Sequence, residues 1–266
     1  MYKHHENPEY YARDLLNVLD ISTPPIDPFK IAIMLGFDFR FESLRNCEAI
    51  LICKNGKKRI IMKDFSYFEK KLSFTVAHEI GHFILPWHSN IIYNCTDKDL
   101  HSYQYKNQET EANLFASELL LPTELFSKDI EDLDLSLNNI IGLSEKFQTS
   151  ITSTAIKAVK ITEQKICLVY TEDNKVKWII PSKEFNEKIA VGKLSPLSYA
   201  YDFYTKGIDI QDSTDVYPIA WIYNHEKYVK IREENIFLKR FNSTLTILTL
   251  PDDSYEDSID DDMFYS

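Results

Sequence analysis

The segment His78-Glu-Ile-Gly-His82 places two histidines four residues apart around a glutamate. Because an α-helix repeats every 3.6 residues, the imidazoles of His78 and His82 lie one turn apart on one face and can reach one ion. Glu79 is rotated by about 100° from His78, so its carboxylate lies beside the ion rather than on it. A carboxylate in that position can take a proton from water, which is the chemistry of the H-E-x-x-H motif in zinc-dependent hydrolysis.

The alternative is a helix that carries two ordinary structural histidines, and the neighbouring residues bear on this choice. A small residue precedes the motif, Gly81 would let another helix approach closely, and the apolar residues 83–85 can anchor the helix in a core. These features favour the metal site. We therefore expect His78 and His82 to bind zinc and Glu79 to act as catalytic base.

A catalytic zinc site usually has three protein ligands and keeps one position for water. The segment "NQETEANLFASELLLP" predicts a second helix that offers two glutamates as the third ligand. Glu109 shares one face of this helix with residues at i+3, i+4 and i+7 spacing: Ala112, Asn113 and Ala116. Glu111 lies about 200° away around the helix. We prefer Glu109 to Glu111, because the small residues on its face allow two helices to approach.

These motifs together resemble the ImmA/IrrE family of zinc metallopeptidases. Members pair H-E-x-x-H with an E-x-x-A-N-x-F-A helix that ends in a Leu-Leu-x-Pro type sequence, and here HEIGH is followed by "ETEANLFASELLLP". The resemblance covers the chain best from about Asp20 to Pro122. It implies a zincin-like peptidase core in which Zn2+ is held by three residues and a fourth is the catalytic base: His78, His82 and Glu109 as ligands, and Glu79 as the base.

The same resemblance implies a regulatory role. Family members cleave helix-turn-helix repressors of the phage and stress-response kind, which relieves transcription. We therefore expect a zinc endopeptidase that hydrolyses a peptide bond in one or few specific proteins, such as a helix-turn-helix transcriptional repressor. The competing interpretation is a non-catalytic binding partner, antitoxin-like or repressor-sequestering, on a peptidase-like fold. The intact HEIGH motif favours catalysis.

A second donor is expected to stabilise the oxyanion that forms during peptide hydrolysis. The connection between the two site helices offers several candidates, and their order in the chain does not choose among them: Tyr93, His101, Tyr103 and Tyr105. His88 falls beyond the helix-breaking Pro86 and is interpreted as a loop residue rather than a ligand.

The elements that must position these residues can be read from periodicity, prolines and glycines. Ser66 and Glu69 fit a capping box that opens the first site helix, and Pro86 ends it near Leu85. Pro122 ends the second site helix. Upstream, the sequence predicts helices at residues 8–20 and 28–36 and a hairpin of "AILIC" and "RIIM" with a turn at Asn55-Gly56.

Downstream of Pro122, residues 135–160 predict two helices joined by a turn at Gln148–Ser150, with Ser136 as a cap. From Ile166 apolar residues alternate with period two, which predicts mostly antiparallel strands. The predicted strands are "ICLVY", "KVKWII", "VYPIAWIY", "KYVKI" and "STLTILTL", with helices at "SKEFNEKIAV" and "SPLSYAYDFY" between them.

The predicted fold class is α+β in four segments. They are a zincin-like peptidase core with a small β-hairpin at 1–122, a helical segment at 123–162, an α+β domain with an antiparallel sheet at 163–250, and an acidic flexible tail at 251–266. The family resemblance implies that the helical segment is helix-turn-helix-like and that the α+β domain is sensor-like, such as a GAF-type fold. Plain helical packing against the core is an equal alternative for the helical segment.

Charge and composition limit the possible partners of the protein and its cellular compartment. The formal net charge is −11, which argues against direct nucleic-acid binding, because phosphate recognition needs a basic surface. The amino terminus lacks the apolar stretch of a signal peptide, and no apolar run reaches the length of a membrane span. Four scattered cysteines fit reduced thiols. We expect a cytoplasmic protein with no membrane partner, and leave its oligomeric state open.

Overall fold

The computed structural model describes residues 7–44, 48–54, 56–63, 69–88, 103–207, 213–223 and 229–251. Over these ranges the chain forms eight α-helices and two sheets, so the predicted α+β class is confirmed. It divides into two compact units, one of Met1–Asp129 with Gly142–Thr154 and one of Ile130–Ile141 with Ala155–Ser266. The predicted borders at residues 122 and 162 stay predictions. Beyond Pro251, the acidic tail lies outside the described residues.

The first unit opens with two short helices whose starts are set by a capping side chain followed by proline. Asn7 caps α1, Pro8–Val18, and its side chain accepts a hydrogen bond from the amide of Tyr10 at 3.1 Å. Asp27 caps α2, Pro28–Met34, in the same way. Proline suits the first helical position because its fixed φ matches the helix and its missing N–H would have had no partner there.

A small sheet follows these helices. Strands β1, Phe37–Glu42, β2, Ala49–Lys54, and β3, Lys57–Lys63, lie in the order β1-β3-β2. The predicted hairpin of β2 and β3 is confirmed as an antiparallel pair, and Gly56 supplies the positive φ of its turn. Asn55 lies outside the described residues. The parallel pairing of β1 with β3 was not predicted, and it leaves β2 as an outer strand.

Two longer helices pack on each other in this unit. Helix α3 spans Glu69–Ile84 and is followed by a 3-10 turn at Pro86–His88, and helix α4 spans Tyr103–Leu120. Both end just before a proline, as predicted. Ser66 of the predicted capping box lies outside the described residues, as does the side chain of Glu69. Apolar side chains from both helices are fully buried together: Val76, Ala77, Ile80, Phe115, Ala116 and Leu119.

Gly81 is a point of tight packing between α3 and α4. A Cβ added to Gly81 would lie 3.0 Å from Cδ1 of Phe115, a side chain that is fully buried. Any larger residue at this position would therefore press on a ring that has little room to move. The glycine of the H-E-x-x-H segment thus has a packing role on the side of α3 that faces α4.

Three helices come next along the chain. Helix α5 spans Thr123–Ile130, α6 spans Leu137–Lys146 and α7 spans Ile151–Ile161. The hydroxyl of Ser136 accepts a hydrogen bond from the amide of Asn139 at 3.2 Å, which is the predicted cap of α6. The turn between α6 and α7 includes Gln148 at a φ of 54°.

The second unit contains an antiparallel sheet of five strands, as expected for the C-terminal part of the chain. The strands are β4, Ile166–Glu172, β5, Lys175–Pro181, β6, Thr214–Val216, β7, Ile231–Leu238, and β8, Ser243–Thr249, in the order β5-β4-β8-β7-β6. Helix α8, Tyr199–Lys206, belongs to the same unit. None of the helices in the described ranges is long and apolar enough to cross a bilayer.

Two local predictions in this unit were wrong. The helix predicted at residues 182–191 does not form, because its backbone pairs with a neighbouring segment; the amide of Ala190 donates to the carbonyl of Trp221 at 2.7 Å. The strand predicted through Pro218 is interrupted by a 3-10 turn at that proline. The first two residues of the predicted strand "KYVKI" lie outside the described residues, and strand β7 begins at its last residue, Ile231, and continues through buried acidic residues.

Replacing Gly81 by alanine tests the close approach of α3 and α4. The added methyl gains about 1 kcal/mol of helix propensity, but overpacking a filled core costs about 1–3 kcal/mol. We expect a net loss of about 1 kcal/mol in the free energy of unfolding of the metal-free protein. Urea unfolding followed by circular dichroism measures this difference.

Gly142→Ala is the matched control. Gly142 is exposed in α6, and among the described residues an added Cβ there meets nothing within 4 Å. This variant is expected to gain up to about 1 kcal/mol from helix propensity alone. Equal gains in the two variants would contradict the close contact of Gly81 with Phe115.

Candidate metal centre

The structure brings His78, His82 and Glu109 together. The Nε2 atoms of His78 and His82 are 2.9 Å apart, and they lie 3.1 Å and 3.2 Å from the carboxylate oxygens of Glu109. In the part of the chain that the structure describes, these three residues are the group whose ligand atoms could share a metal ion. Two imidazoles and one carboxylate form a donor set typical of catalytic zinc.

The two long helices of the first unit position this group. His78 and His82 lie one turn apart on α3, so their rings point the same way. Glu109 lies on α4 and faces them, with the fully buried Ala112 and Ala116 following on the same side of the helix. Small residues on this side of α4, and the packing of Phe115 against Gly81 of α3, keep the two helices close enough for the carboxylate to reach both imidazoles.

Asn113 holds the ring of His78. Its side-chain oxygen lies 2.9 Å from Nδ1 of His78, and an amide oxygen can only accept a hydrogen bond. Nδ1 of His78 therefore donates its hydrogen to Asn113, and Nε2 is the ring nitrogen that faces Glu109. A second contact of this kind is common for metal-binding histidines, because it fixes the tautomer and the ring orientation.

The charges of the three converging residues differ in the metal-free protein. Burial opposes ionisation of Glu109, but hydrogen bonds from His78 and His82 outweigh it and hold the pKa of Glu109 below its ordinary value. Burial alone would lower the pKa of His78, yet Glu109 and Glu79 raise it. Burial lowers the pKa of His82 to about 4. His82 is thus neutral near pH 7, the form that a metal ligand requires.

Glu79 lies beside this group without belonging to it. Its side chain is buried, with 8% of the residue exposed. Burial raises the pKa of Glu79 to about 7; the charge of His78 opposes this shift and the charge of Glu109 adds to it. A carboxyl group with such a pKa can both accept and release a proton near neutral pH.

Glu111 is not among the converging residues and has other partners. Its Oε2 accepts a hydrogen bond from Nε1 of Trp87 at 2.8 Å and lies 2.9 Å from Nε2 of His88. The other ring nitrogen of His88, Nδ1, is 3.0 Å from Nδ1 of His82. The geometry therefore gives Glu109 and Glu111 different neighbours, and it connects Glu111 to His82 through His88.

His88 is the site residue that the sequence interpretation missed. It follows a helix-breaking proline and was read as a loop residue, but it is only 1% exposed, and burial lowers its pKa. A turn of 3-10 helix holds it, in which the amide of His88 donates to the carbonyl of Leu85 at 3.0 Å. The signal available in the sequence was a third histidine directly after the Pro86-Trp87 pair.

The predicted oxyanion donors stay predictions. Tyr93 and His101 lie outside the described residues, as do the side chains of Tyr103 and Tyr105.

Comparisons with known proteins give a family match and similar folds among the solved structures. Residues 69–158 match the IrrE N-terminal-like domain of peptidase family M78. A search of curated proteins finds no match. Among solved structures, a transcriptional regulator of Mycobacterium tuberculosis has a TM-score of 0.56 at 13% identity, covering 91% of this chain and 75% of that one. At this identity the similarity concerns the fold alone.

The span matched by the family model includes α3 and α4 with all three converging residues. Residues 69–158 therefore carry an IrrE N-terminal-like domain of the M78 peptidases, which confirms the predicted resemblance to the ImmA/IrrE family.

Proposed function

We propose that this protein is a zinc-dependent regulatory endopeptidase that hydrolyses a peptide bond in a helix-turn-helix transcriptional repressor, with a role in stress response. The observation that carries the proposal is the convergence of His78, His82 and Glu109 beside the buried Glu79. The match of residues 69–158 to a peptidase-family domain supports the reaction class. A cytoplasmic location is part of the proposal, because transcriptional repressors act there.

His78, His82 and Glu109 would hold the metal. Two neutral nitrogens and a carboxylate oxygen fit Zn2+, and three protein ligands leave a fourth position for water or substrate. When bound there, zinc lowers the pKa of water and polarises the carbonyl of the scissile peptide. The second ring nitrogens of both histidines contact other side chains, so the nitrogens that face Glu109 are the ones available to the ion.

Glu79 would move the proton. In the attack step its carboxylate accepts a proton from water as the oxygen adds to the peptide carbonyl. The carboxylic acid formed then gives this proton to the leaving amine, which restores the carboxylate. In the metal-free protein burial raises the pKa of Glu79, and this effect of burial makes its carboxylate a stronger base for the first step.

The similar fold, the small sheet and the net charge of the chain support the proposed substrate class. The Mycobacterium tuberculosis protein with the similar fold is named a transcriptional regulator, which fits a role for this chain in transcription. Strand β2 is an outer strand of the small sheet, and outer strands can pair with an extended peptide substrate. The acidic charge of the chain disfavours action through direct DNA binding.

Cleavage of purified repressors by the zinc-loaded protein tests the proposal. A panel of helix-turn-helix repressors from the same genome is incubated with wild type, Glu79→Gln and His82→Ala, and new amino termini are identified by mass spectrometry. We expect the wild type to cleave at least one repressor at one site. Glu79→Gln should retain about one zinc per chain and cleave about 10²–10⁴-fold more slowly, whereas His82→Ala should lose both metal and activity.

Two results would contradict the endopeptidase. One is cleavage by Glu79→Gln at the wild-type rate. The other is stoichiometric binding of a repressor by wild type and by Glu79→Gln with no cleavage, so that no new amino terminus appears. That outcome is expected of a non-catalytic binding partner.

The burial of Glu79 also predicts a pH-dependent stability of the metal-free protein. Below about pH 4.5 the carboxyl group is protonated in both the folded and the unfolded chain, so burial carries no ionisation penalty. Between about pH 4.5 and pH 7 the unfolded chain loses this proton first, and the folded state is destabilised as pH rises. Above the folded pKa the penalty reaches about 3 kcal/mol.

Glu79→Gln removes this penalty. We compare the free energies of unfolding of the metal-free variant and the metal-free wild type. We expect the variant's advantage to be up to about 3 kcal/mol larger at pH 8 than at pH 4.5. Urea unfolding in the presence of EDTA measures the gain, and the exposed Glu145→Gln is the control, with little change at either pH. A Glu79→Gln difference that stays constant with pH would rule out the ionisation penalty.

A further inference from the structure

A chain of polar contacts leads from His82 to Glu111, the glutamate that the metal centre does not use as a ligand. Nδ1 of His82 is 3.0 Å from Nδ1 of His88, and Nε2 of His88 is 2.9 Å from Oε2 of Glu111. The chain is shielded from solvent, because His82 is 4% exposed and His88 is 1% exposed. Two buried imidazoles in contact need a defined hydrogen between them.

The direction of the hydrogens follows from the role of His82. An imidazole that binds a metal through Nε2 carries its hydrogen on Nδ1. Nδ1 of His82 then donates to the lone pair on Nδ1 of His88, and the hydrogen of His88 is on Nε2, where it is donated to Glu111. In this arrangement each contact has one hydrogen, both rings are neutral, and the carboxylate accepts.

Neighbouring elements hold Glu111 and His88 in place. Trp87 donates to the same carboxylate oxygen of Glu111 at 2.8 Å. Because Glu111 is two residues beyond Glu109 on α4, the two side chains leave the helix about 200° apart, so one helix supplies both a converging carboxylate and a more distant one. His78 has its own partner in Asn113, and both histidines of the motif are therefore held at the nitrogen away from Glu109.

We propose that Glu111 and His88 are positioning residues that fix the Nδ1-protonated tautomer of His82 and strengthen Nε2 as a zinc ligand. The inference rests on the proposed function, since it requires zinc at His82. The carboxylate of Glu111 accepts a hydrogen bond from His88, and this makes His88 a better acceptor for His82, which in turn becomes a better electron donor to the metal. Loss of residues that hydrogen-bond to metal ligands in this way costs about 10–100-fold in metal affinity.

Zinc affinity in three variants tests the inference. His88→Leu keeps a buried apolar volume but offers no acceptor to His82, and it should weaken zinc binding about 10–100-fold. His88→Gln keeps an acceptor toward His82 and a donor toward Glu111, and it should restore most of the affinity. Glu111→Gln removes the charge at a residue whose side chain is 23% exposed, so it tests the far end of the chain even if the His88 variants fold poorly.

Chelator competition measures the zinc dissociation constant, and the visible spectrum of the cobalt-substituted protein reports the geometry around the metal. Urea unfolding of the metal-free variants separates weak binding from lost stability. We expect a shifted cobalt spectrum in His88→Leu and a wild-type-like spectrum in His88→Gln.

The outcomes distinguish this inference from the proposed function. Wild-type affinity in His88→Leu and Glu111→Gln would overturn the positioning role and leave the zinc site intact. Equal weakening in His88→Leu and His88→Gln would assign His88 to packing and also overturn it. Failure of the wild-type protein to bind zinc would overturn both proposals.

Discussion

The close approach of α3 and α4 is the constraint on which the candidate metal centre depends. Gly81 has no side chain, and the ring of Phe115 on α4 packs directly against it. That approach brings the carboxylate of Glu109 to 3.1 Å and 3.2 Å from the two imidazoles. A three-ligand site tolerates little displacement, because metal–ligand distances vary by only a few tenths of an ångström. The helix contact therefore decides whether the histidines of the motif can share an ion.

Burial of polar groups is the second feature of this centre, and the protein stabilises most of them with specific partners. Glu109 contacts both histidines, Asn113 contacts His78, and His88 contacts His82. Glu79 differs, because burial raises its pKa without a compensating hydrogen-bond donor strong enough to reverse the shift. A buried carboxyl group of this kind lowers the stability of the folded chain, and such groups are common at sites of proton transfer.

Local patterns predicted those parts of the molecule that depend on near neighbours in the chain. Helical spacing placed His78 and His82 on one face, and prolines marked the ends of α3 and α4. Contacts between distant residues escaped prediction. The parallel pairing of β1 with β3 depends on a sheet that no single segment specifies, and the burial of His88 depends on a turn packed near α4. Strand β7 was missed because the buried Glu233 looks like a surface residue until Trp221 and the start of α8 donate to it.

X-ray absorption at the zinc edge of the zinc-loaded wild-type protein tests the central claim most directly, because it reports the donor atoms around the ion without a substrate. The account predicts two imidazole nitrogens at about 2.0–2.1 Å with oxygen donors completing the shell, and the loss of one imidazole in His78→Ala. Sulfur at about 2.3 Å, or an imidazole count that is the same in His78→Ala as in wild type, would contradict it.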